Sequence, residues 1–506
     1  MQKLNRSLVN SDFPFPADLT VETYPDHVPE RVIQFGEGNF LRAFADWMIH
    51  LLNKNNLFNG RVVVAQPIRE GLADMVNEQD GLYTLLLRGL RDGKPVEEKE
   101  IISSISRCLN PYTQWDDYLK CAEDPLIEYV ISNTTEAGIT FDKEDKFENE
   151  PPTSYPGKLT SYLYHRFQYF KADPSKGMVI IPCELIDRNG DNLKKAILQY
   201  VELWNLPQEF ARWVADANHF LNTLVDRVVT GYPRDEIKEI TKSLGYQDSL
   251  VDTGELFHLW VIEGPKELSE RLPFHKIGLN VVWTEDMTPH RTRKVRILNG
   301  AHTASVPAAF LYGLETVGEM MDHEVMGKYV RQIIQEEIVP SIDLDKEMLV
   351  DFAHAVVERF QNPYIKHYLL SILLNSSSKF KARVLPSILE YHTLNGTLPK
   401  KLVFSLAALI AVYKDGKIDG TAMQAIRDQG EFVMKDDLWA LEFFVAAWST
   451  FDGSQQSAKN VAEQVLKNTK LWDTDLTEMA GFVDCLGEYL YKITTNGMQK
   501  TVVELV

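Results

Sequence analysis

Three side chains that lie close together in the sequence have the types and spacing that oxidation of an alcohol requires. They are Lys294, Asn299 and His302, in the stretch RKVRILNGAH (293–302). In an α-helix of 3.6 residues per turn, Lys294 and His302 are about 80° apart around the axis, and Asn299 lies about 60° beyond His302. All three side chains then face one side of the helix and can contact one small molecule.

Removal of hydride from a secondary alcohol needs a group that takes the hydroxyl proton while a nicotinamide accepts the hydride. A lysine whose pKa is lowered by burial can do this near neutral pH, so Lys294 is the candidate acid/base. Asn299 can donate an N–H to the oxygen where negative charge develops, and His302 can hold that oxygen or a neighbouring hydroxyl. A solvated basic helix with a core-facing histidine would have the same letters, so the trio needs support from the rest of the chain.

A glycine-containing segment, FGEGNF (35–40), follows a β-branched run and precedes a helical pattern. In a dinucleotide-binding unit, Gly36 would make the tight turn and Gly38 would admit the pyrophosphate to the helix N-terminus. The third glycine of the full fingerprint is absent, and an ordinary strand-to-helix turn explains the segment as well. The candidate cofactor-binding residues here are Gly36, Gly38, Asn39, Phe40 and Arg42.

Two later strand ends bear on the cofactor. After GRVVVAQ (60–66) there is no immediate Asp or Glu to hold the adenosine ribose. Arg69 is suited to a 2′-phosphate and Glu70 to a ribose diol, so the residues leave NAD and NADP open. Thr135 and Glu136 follow another strand, at the edge where open α/β sheets bind ligands, and are further candidates, although a plain polar loop fits the same letters.

The arrangement of apolar runs predicts two domains. In the first half, strand patterns alternate with helical patterns such as residues 40–54, which favours a mostly parallel sheet covered on both faces. The predicted strands are 30–35, 60–66, 83–90, 126–132 and 177–183. Residues 83–102 predict an inserted hairpin. Long helical stretches, such as 321–339 and 400–414, dominate from about residue 292. We therefore predict an α/β N-terminal Rossmann-like domain, 1–288, and an all-α C-terminal domain, 289–506.

The overall charge is acidic: 53 Lys and Arg against 72 Asp and Glu give −19. Such a surface repels phosphate backbones, so we expect a small-molecule ligand and no nucleic acid. The longest apolar run, residues 402–413, is well short of the ~20 residues that cross a bilayer, so we expect no membrane association.

Cysteine usage and the first residues favour a cytoplasmic location. The four cysteines, Cys108, Cys121, Cys183 and Cys485, are scattered without a CxxC pair, which argues against a disulfide framework and a cysteine zinc site. The chain starts without an apolar stretch of signal-peptide length. No HExxH, GxSxG or P-loop motif occurs, so we expect a metal-independent enzyme. The oligomeric state is left open.

Six segments in order along the chain resemble the polyol-specific long-chain dehydrogenases, the mannitol dehydrogenase family, and are most similar to its tagaturonate-reducing branch. They are FGEGNFLRAF (35–44), SNTTEAGI (132–139), IPCELIDRNGD (181–191), TLVDRVVTGYPRDE (223–236), ILNGAHTA (297–304) and NPYIKH (362–367). This resemblance implies a Rossmann-type and a helical domain, NAD as cofactor and no zinc. It also implies Lys294 as general acid/base, Asn299 and His302 at the reacting oxygen, and Asp226 and Lys379 lining the substrate pocket.

One departure from the family concerns the end of a sheet strand. Polyol-oxidising members have Cys-Asp-Asn, whose asparagine contacts the reacting oxygen, whereas this chain has Cys183, Glu184 and Leu185. Leu185 has no side-chain donor, so Asn299 or another group must take that role. The change weakens an assignment to mannitol and favours a uronate.

Our leading hypothesis is therefore reversible reduction of D-tagaturonate to D-altronate with NADH, in hexuronate catabolism. The basic residues Lys379, Lys381 and Arg383 are suited to the substrate carboxylate, although a solvated helix face explains them equally well. Fructuronate or a neutral polyol is the alternative substrate. The alternative from another class is a non-catalytic nucleotide-binding protein, which would have no need of the Lys294 trio.

Overall fold

The structure is a computed structural model that describes residues 1–23, 27–135 and 137–506. The chain divides into two compact units. The first contains Met1–Gly89 and Pro95–Met287, and the second contains Leu90–Lys94 and Thr288–Val506. This division lies one residue from the predicted boundary. It also assigns the tip of the hairpin to the second unit, which no sequence pattern indicated.

The strands are numbered in chain order. In the first unit they are β1 (Leu19–Thr20), β2 (Glu30–Phe35), β3 (Arg61–Ala65), β4 (Tyr83–Arg91), β5 (Lys94–Ile102), β6 (Ile105–Leu109), β7 (Tyr129–Ser132), β8 (Val179–Pro182), β9 (His219–Phe220), β10 (Asn222–Asp226), β11 (Asp252–Glu255), β12 (Leu259–Glu263) and β13 (Val281–Thr284). In the second unit they are β14 (Lys417–Asp419), β15 (Ala422–Arg427) and β16 (Gly430–Met434).

The central sheet of the first unit has the strand order β6-β3-β2-β7-β8-β9, and each adjoining pair is parallel. Ile33 of β2 lies between Val63 of β3 and Val130 of β7. Because β2 has its sequence neighbour β3 on one side and the later β7 on the other, the strand order reverses there. In open α/β sheets, ligands bind at the carboxyl ends of the strands at such a point.

Both faces of this sheet are buried, which explains the runs of apolar letters. Val62 and Val64 belong to one apolar cluster, and Val63 and Ala65 belong to another. Successive side chains of a strand point to opposite faces, so both clusters must cover the sheet. The predicted Rossmann-like domain is confirmed.

Helices cover this sheet and connect its strands. The α-helices of the first unit are Arg6–Val9, Asn39–Leu41, Trp47–Lys54, Ala73–Glu78, Trp115–Lys120, Tyr155–Tyr169, Asn189–Leu203, Gln208–Ala217 and Ile237–Leu244. The π-helical turn Arg42–Asp46 joins Asn39–Leu41 to Trp47–Lys54. Short 3₁₀ helices are Cys121–Glu123, Pro174–Lys176, Lys266–Glu270 and Phe274–Ile277.

The predicted hairpin is formed by β4 and β5, which lie side by side in a second sheet of order β1-β5-β4-β11. Its turn residues Asp92 and Gly93 both have left-handed backbones, with φ of 55° and 71°. An Asp-Gly pair is the preferred sequence for such a two-residue turn. A third sheet has the order β10-β12-β13.

The second unit is helical. Its α-helices are Thr288–Arg293, Gly300–Tyr312, Val317–Asp322, Glu324–Gln332, Lys346–Phe360, Leu369–Leu373, Ser376–Arg383, Leu385–Asn395, Lys400–Val412, Leu438–Trp448, Gln455–Lys467, Thr469–Trp472, Phe482–Asn496 and Met498–Val503. Its π-helical turns are Lys294–Asn299 and Ile333–Ile338, and its 3₁₀ helices are Val339–Ser341 and Leu476–Glu478.

This unit also contains a small sheet that the prediction of an all-α domain lacked. Strands β14, β15 and β16 form an antiparallel meander. Met423 and Ala425 are buried while Gln424 and Ile426 are exposed, so burial alternates along β15, but the exposed apolar Ile426 hides this alternation in the sequence. Among the described helices, none is long and apolar enough to span a bilayer.

Candidate active site

The glycine turn lies at the carboxyl end of β2. Gly36 has φ of +117°, and a Cβ placed on it would stand 2.8 Å from the Asn133 carbonyl oxygen, so both the backbone and the space require glycine. Gly38 is exposed, and a Cβ there would meet nothing within 4 Å. It precedes the helix that begins at Asn39 and provides no side-chain cap. The first N–H groups of the helix are therefore open to an anionic ligand.

The buried side-chain amide of Gln34 stabilises this turn. The Gln34 side chain donates from Nε2 to the Gly36 carbonyl oxygen at 3.0 Å and to Oδ2 of Asp46 at 3.1 Å. Burial raises the pKa of Asp46 to about 7. Sequence analysis missed Gln34, and its signal was a single amide inside an otherwise apolar strand.

The π turn Arg42–Asp46 continues the helix, and two distant side chains satisfy its carbonyls. The Tyr83 hydroxyl donates to the Arg42 carbonyl oxygen at 2.6 Å. Nη1 of Arg227 donates to the Ala43 carbonyl oxygen at 2.6 Å. A π turn disrupts the regular ladder of helical hydrogen bonds, and buried carbonyls need partners. Arg227 and Tyr83 thus stabilise the irregular backbone that follows the glycine turn.

Arg42, a predicted cofactor contact, is committed to internal contacts. It is buried, and Nη1 donates to the Leu250 carbonyl oxygen at 2.6 Å while Nη2 donates to Oδ1 of Asn39 at 2.6 Å. Asp252 lies 3.8 Å from Nη2. This geometry places Arg42 behind the turn, where it orients the exposed Asn39 side chain. Direct contact of Arg42 with a cofactor is not supported.

Phe40 is half-buried and packs its ring on Phe44, with centroids 4.9 Å apart. Its side chain therefore anchors the start of the helix in the apolar core. The contact of Phe40 with a cofactor stays a prediction.

The loop after β7 is organised by a buried carboxylate. Glu184 accepts hydrogen bonds from the Ser132 hydroxyl at 3.1 Å and from both the N–H and the hydroxyl of Thr134 at 3.0 Å. Burial raises the pKa of Glu184, against the opposing effect of these hydrogen bonds. Glu184, which stands where polyol-oxidising relatives of the predicted family have aspartate, therefore holds the loop beside the glycine turn.

Thr135 is exposed at the next position and has φ of +79°, a rare backbone for a β-branched residue. Such strain is often found at ligand-binding sites. Glu136, the other candidate of this loop, lies outside the described residues. Leu185 is 62% exposed, so an apolar side chain stands open to solvent where the family asparagine was expected.

No acidic residue directly follows β3, where an acid would hold the adenosine ribose. Gln66 is buried and donates to the carbonyl oxygens of Ile68 and Arg69 at 2.8 and 3.0 Å, so it shapes its own loop. The Arg69 guanidinium covers the Tyr112 ring at 4.9 Å. Between this loop and the loop containing Thr135 lies a cavity of about 470 Å³. Because β3 and β7 lie on either side of β2, this position at their carboxyl ends suits an adenosine moiety.

In the second unit, the predicted catalytic stretch is not a regular α-helix. Residues Lys294–Asn299 form a π turn, and the Gly300 N–H donates to the carbonyl of Val295, five residues earlier. In a regular α-helix, the side chains of two residues five positions apart, such as Lys294 and Asn299, point in directions about 140° apart around the helix axis. Because a π turn closes over five residues, Lys294 and Asn299 lie near the same side of the helix. Both are half-buried.

The opposite side of this turn is fixed by Arg296. Its guanidinium is buried and donates to the hydroxyls of Ser387 at 2.7 Å and Ser341 at 3.0 Å, and to the Glu390 carboxylate at 3.0 Å. A Cβ on Gly300 would stand 2.9 Å from the Arg383 carbonyl oxygen, so Gly300 allows helix Ser376–Arg383 to approach. These contacts hold the π turn in place.

His302 follows within the helix Gly300–Tyr312. Its ring stacks on Phe360 with centroids 3.9 Å apart, and His367 meets it edge-on at 5.2 Å. Burial lowers the pKa of His302 well below its usual range, and electrostatic interactions with His367, Arg359 and Arg383 add to the effect. The imidazole is therefore neutral at physiological pH, with one donor and one acceptor.

The two predicted substrate residues lie in different units, Asp226 in the first and Lys379 in the second. In the second unit, the Lys379 amine donates to the carbonyl oxygens of Ile372 and Leu374 at 3.1 and 2.5 Å. Its pKa is lowered, mainly by burial and then by Arg383. In the first unit, Asp226 is buried at the end of β10.

Groups of three or more His, Cys, Asp or Glu side chains suited to a metal ion do not occur among the described residues. The cysteines are free, and Cys108, Cys121 and Cys183 are buried. Burial raises the pKa of the Cys121 thiol to about 12, so this thiol is unreactive.

Two sequence profiles match the chain along almost its full length. The mannitol dehydrogenase Rossmann domain matches residues 30–276, and the mannitol dehydrogenase C-terminal domain matches residues 286–494. The chain belongs to the mannitol dehydrogenase family. It is accordingly an enzyme, a dehydrogenase that acts on an alcohol.

Relatives within this family include two proteins named altronate oxidoreductase. The protein of Bacillus subtilis (strain 168) is 45% identical over 502 residues, which cover 99% of this chain and 98% of the relative. The protein of Enterobacter sp. (strain 638) is 46% identical over 478 residues, which cover 94% and 97%.

Two solved structures share the fold. Mannitol 2-dehydrogenase of Pseudomonas fluorescens, in a ternary complex with NAD and D-mannitol, superimposes with a TM-score of 0.69 at 21% identity and covers 100% of this chain and 99% of its own. A D-sorbitol dehydrogenase in substrate-free form gives a TM-score of 0.79 at 19% identity, with coverage of 99% and 100%. The predicted family and fold class are confirmed.

Proposed function

We propose that this family member is an NAD-dependent oxidoreductase that interconverts D-tagaturonate and D-altronate, with Lys294 as general acid/base. The relatives named altronate oxidoreductase support the substrate, because they match 94% or more of the chain at 45–46% identity. The observation that carries the mechanism is the π turn, which aligns Lys294 with Asn299 one helical turn before His302.

The residues of the glycine turn fit a dinucleotide. The open space at Gly38 and the uncapped helix start at Asn39 suit a pyrophosphate, and the loop of Thr135 faces the cavity suited to adenosine. NAD is the cofactor in the ternary complex of the Pseudomonas fluorescens mannitol 2-dehydrogenase, which shares the fold. When bound, the nicotinamide supplies or accepts the hydride.

The side chains of the π turn handle the proton and the charge. During reduction, the Lys294 ammonium gives a proton to the oxygen that becomes the new hydroxyl, and during oxidation the neutral amine takes it back. Asn299 donates its amide N–H to the same oxygen while negative charge develops there. Neutral His302 can donate or accept at a neighbouring hydroxyl, since its lowered pKa leaves it uncharged. Asp226 and Lys379 are the candidate contacts to the rest of the sugar.

The exposed Leu185 supports a substrate other than mannitol. It removes a donor that polyol-oxidising family members place at this strand end, so contacts to the reacting oxygen are left to the side chains of the π turn and to His302. A place in hexuronate catabolism and a cytoplasmic location follow as parts of the same proposal.

The test is steady-state NADH consumption by the purified enzyme with a panel of ketoses. We expect the highest kcat/KM with D-tagaturonate, lower values with D-fructuronate and the lowest with D-fructose and D-tagatose. Equal or better turnover of D-fructose would overturn the uronate assignment. A preference for D-fructuronate would keep the chemistry and change the epimer.

A further inference from the structure

A pair of cations in the helical unit lies on a helix that packs against the catalytic stretch. Arg383 and Lys379 lie four residues apart on the helix Ser376–Arg383, so they share one face. Like charges at this spacing repel, and Arg383 contributes to the lowered pKa of Lys379. The charge of Arg383 also affects His302, because it contributes to the lowered pKa of that imidazole.

Among the described residues, the one acid that affects the pKa of Lys379 has a carboxylate that accepts several hydrogen bonds. Asp436 is the acid that raises the pKa of Lys379, but its carboxylate accepts hydrogen bonds from the Ser377 N–H at 2.9 Å, the Ser377 hydroxyl at 2.7 Å and the Tyr413 hydroxyl at 2.8 Å. These bonds hold the start of the helix, and within the described residues the Asp436 carboxylate forms no ion pair with Lys379 or Arg383.

The Lys379 amine is fixed by its two bonds to main-chain carbonyls, and one of its three protons remains for a ligand. The Arg383 guanidinium is half-buried, and within the described parts of the chain it makes no hydrogen bond or ion pair. Burial lowers its pKa, which is the mark of a cation without a neutralising partner.

The neighbouring Lys381 differs in each respect. It lies two residues from both Lys379 and Arg383, on another side of the helix, and its amine forms an ion pair with Asp473 at 2.7 Å. The three basic residues that the sequence presented as one group therefore separate into two that form no ion pair within the described residues, Lys379 and Arg383, and one that does, Lys381.

We infer that Arg383, with Lys379 beside it, binds the carboxylate of the sugar acid and thereby selects acids over neutral sugars. A guanidinium can hold a carboxylate through two parallel N–H bonds, and the amine adds a third. His367 lies between this anion subsite and the catalytic helix, because burial and then the charge of Lys379 lower the pKa of its imidazole, and its ring meets His302 edge-on. The inference rests on the proposed function, because it assumes an acidic substrate.

The experiment compares D-tagaturonate with its neutral counterpart D-tagatose in wild-type enzyme, Arg383→Gln, Arg383→Lys and the matched control Lys381→Gln. For Arg383→Gln we expect kcat/KM for D-tagaturonate to fall roughly 100-fold, mainly through KM, because a charge-assisted pair is lost. The value for D-tagatose should change by less than about threefold. Arg383→Lys should restore part of the loss, and Lys381→Gln should behave as wild type. Calorimetric binding of D-altronate should weaken in parallel.

Two outcomes overturn the inference while leaving the proposed function intact. One is an equal loss on both substrates in Arg383→Gln, and the other is an equal loss in Lys381→Gln and Arg383→Gln. A wild-type enzyme that reduces D-tagatose as well as D-tagaturonate would instead contradict the proposed function itself. Thermal unfolding of each variant shows whether a loss reflects misfolding.

Discussion

The two π turns Arg42–Asp46 and Lys294–Asn299 have the same backbone irregularity but differ in what they present. In the first turn every residue is buried. Its carbonyls are taken by side chains from elsewhere in the fold, the Tyr83 hydroxyl and the Arg227 guanidinium. The turn serves the backbone, since it fixes the helix that starts at the glycine turn.

In the second turn only Arg296, Ile297 and Leu298 are buried. They hold the inner side, while Lys294 and Asn299 stay half-buried on the other. The irregularity here changes the direction of side chains, because the five-residue step brings two functional groups to one side. We therefore expect the first turn to support a binding surface and the second to form a reactive one.

The largest effect should follow from removing the amine of the second turn. Lys294→Ala should lower kcat by about 10³-fold, because proton transfer loses its positioned acid/base. The free energy of unfolding should stay close to that of wild type, since Lys294 is half-buried on the outer side. Steady-state NADH kinetics and urea unfolding measure both quantities.

The same variant separates the enzyme from a non-catalytic nucleotide-binding protein. A wild-type chain that binds NADH but turns over none of the ketoses would favour the latter. Retention of a tenth or more of the activity in Lys294→Ala would show that another group carries the proton.

A loss of stability should follow from removing the support of the first turn. In Arg227→Met the carbonyls of Ala43, Leu256 and Phe257 lose their donor, so we expect the free energy of unfolding to fall by about 3 kcal/mol. The control is Arg188→Met, an exposed arginine, for which we expect less than about 0.5 kcal/mol. Similar losses in the two variants would refute the scaffolding role of Arg227.

The contrast also explains what could be predicted from the sequence. Strand β2 was predicted with its observed bounds, because a mostly apolar run, interrupted only by Gln34, lies between the charged residues that start the strand and the glycine turn that ends it. The candidate group of Lys294, Asn299 and His302 was selected from residue types and spacing, and its catalytic role stays a prediction. These signals are local in the sequence.

The missed features depend on partners that are distant in the sequence. The π turn of Lys294 is anchored by Ser341, Ser387 and Glu390, which no local pattern connects to it. Arg42 has a suitable type and position for a phosphate contact. Only the fold shows that its guanidinium donates hydrogen bonds to the Leu250 carbonyl oxygen and the Asn39 side chain instead.

The first turn should also make stability depend on pH. Burial raises the pKa of Asp46 and that of Asp252 to about 7 each. In the unfolded chain such carboxyls ionise near pH 3.9, so between about pH 4 and 7 the folded state keeps a proton that the unfolded state has released. This contribution to stability is complete below about pH 4 and is lost as the pH rises through 7.

Asp46→Asn removes the titrating proton but keeps an acceptor for Gln34. Between pH 5 and 8, wild type should lose roughly 2 kcal/mol of unfolding free energy relative to this variant. Urea unfolding across this pH range measures the difference. Parallel pH profiles for the two proteins would place the proton elsewhere.

The smallest effect distinguishes binding from support within the glycine turn itself. Gly38 has φ of −69°, and a Cβ added there would have no atom within 4 Å, so Gly38→Ala should fold with unchanged stability. Its methyl group would nevertheless stand where a pyrophosphate approaches the helix, so NADH should bind about tenfold more weakly.

The matched variant is Gly36→Ala, whose added methyl group would lie on a left-handed backbone and too close to the Asn133 carbonyl oxygen. It should lose about 1–2 kcal/mol of stability. Fluorescence titration with NADH and urea unfolding distinguish the two variants. Unchanged NADH affinity in Gly38→Ala would mean that the open space at this turn is not the phosphate site, whatever its similarity to a dinucleotide fold.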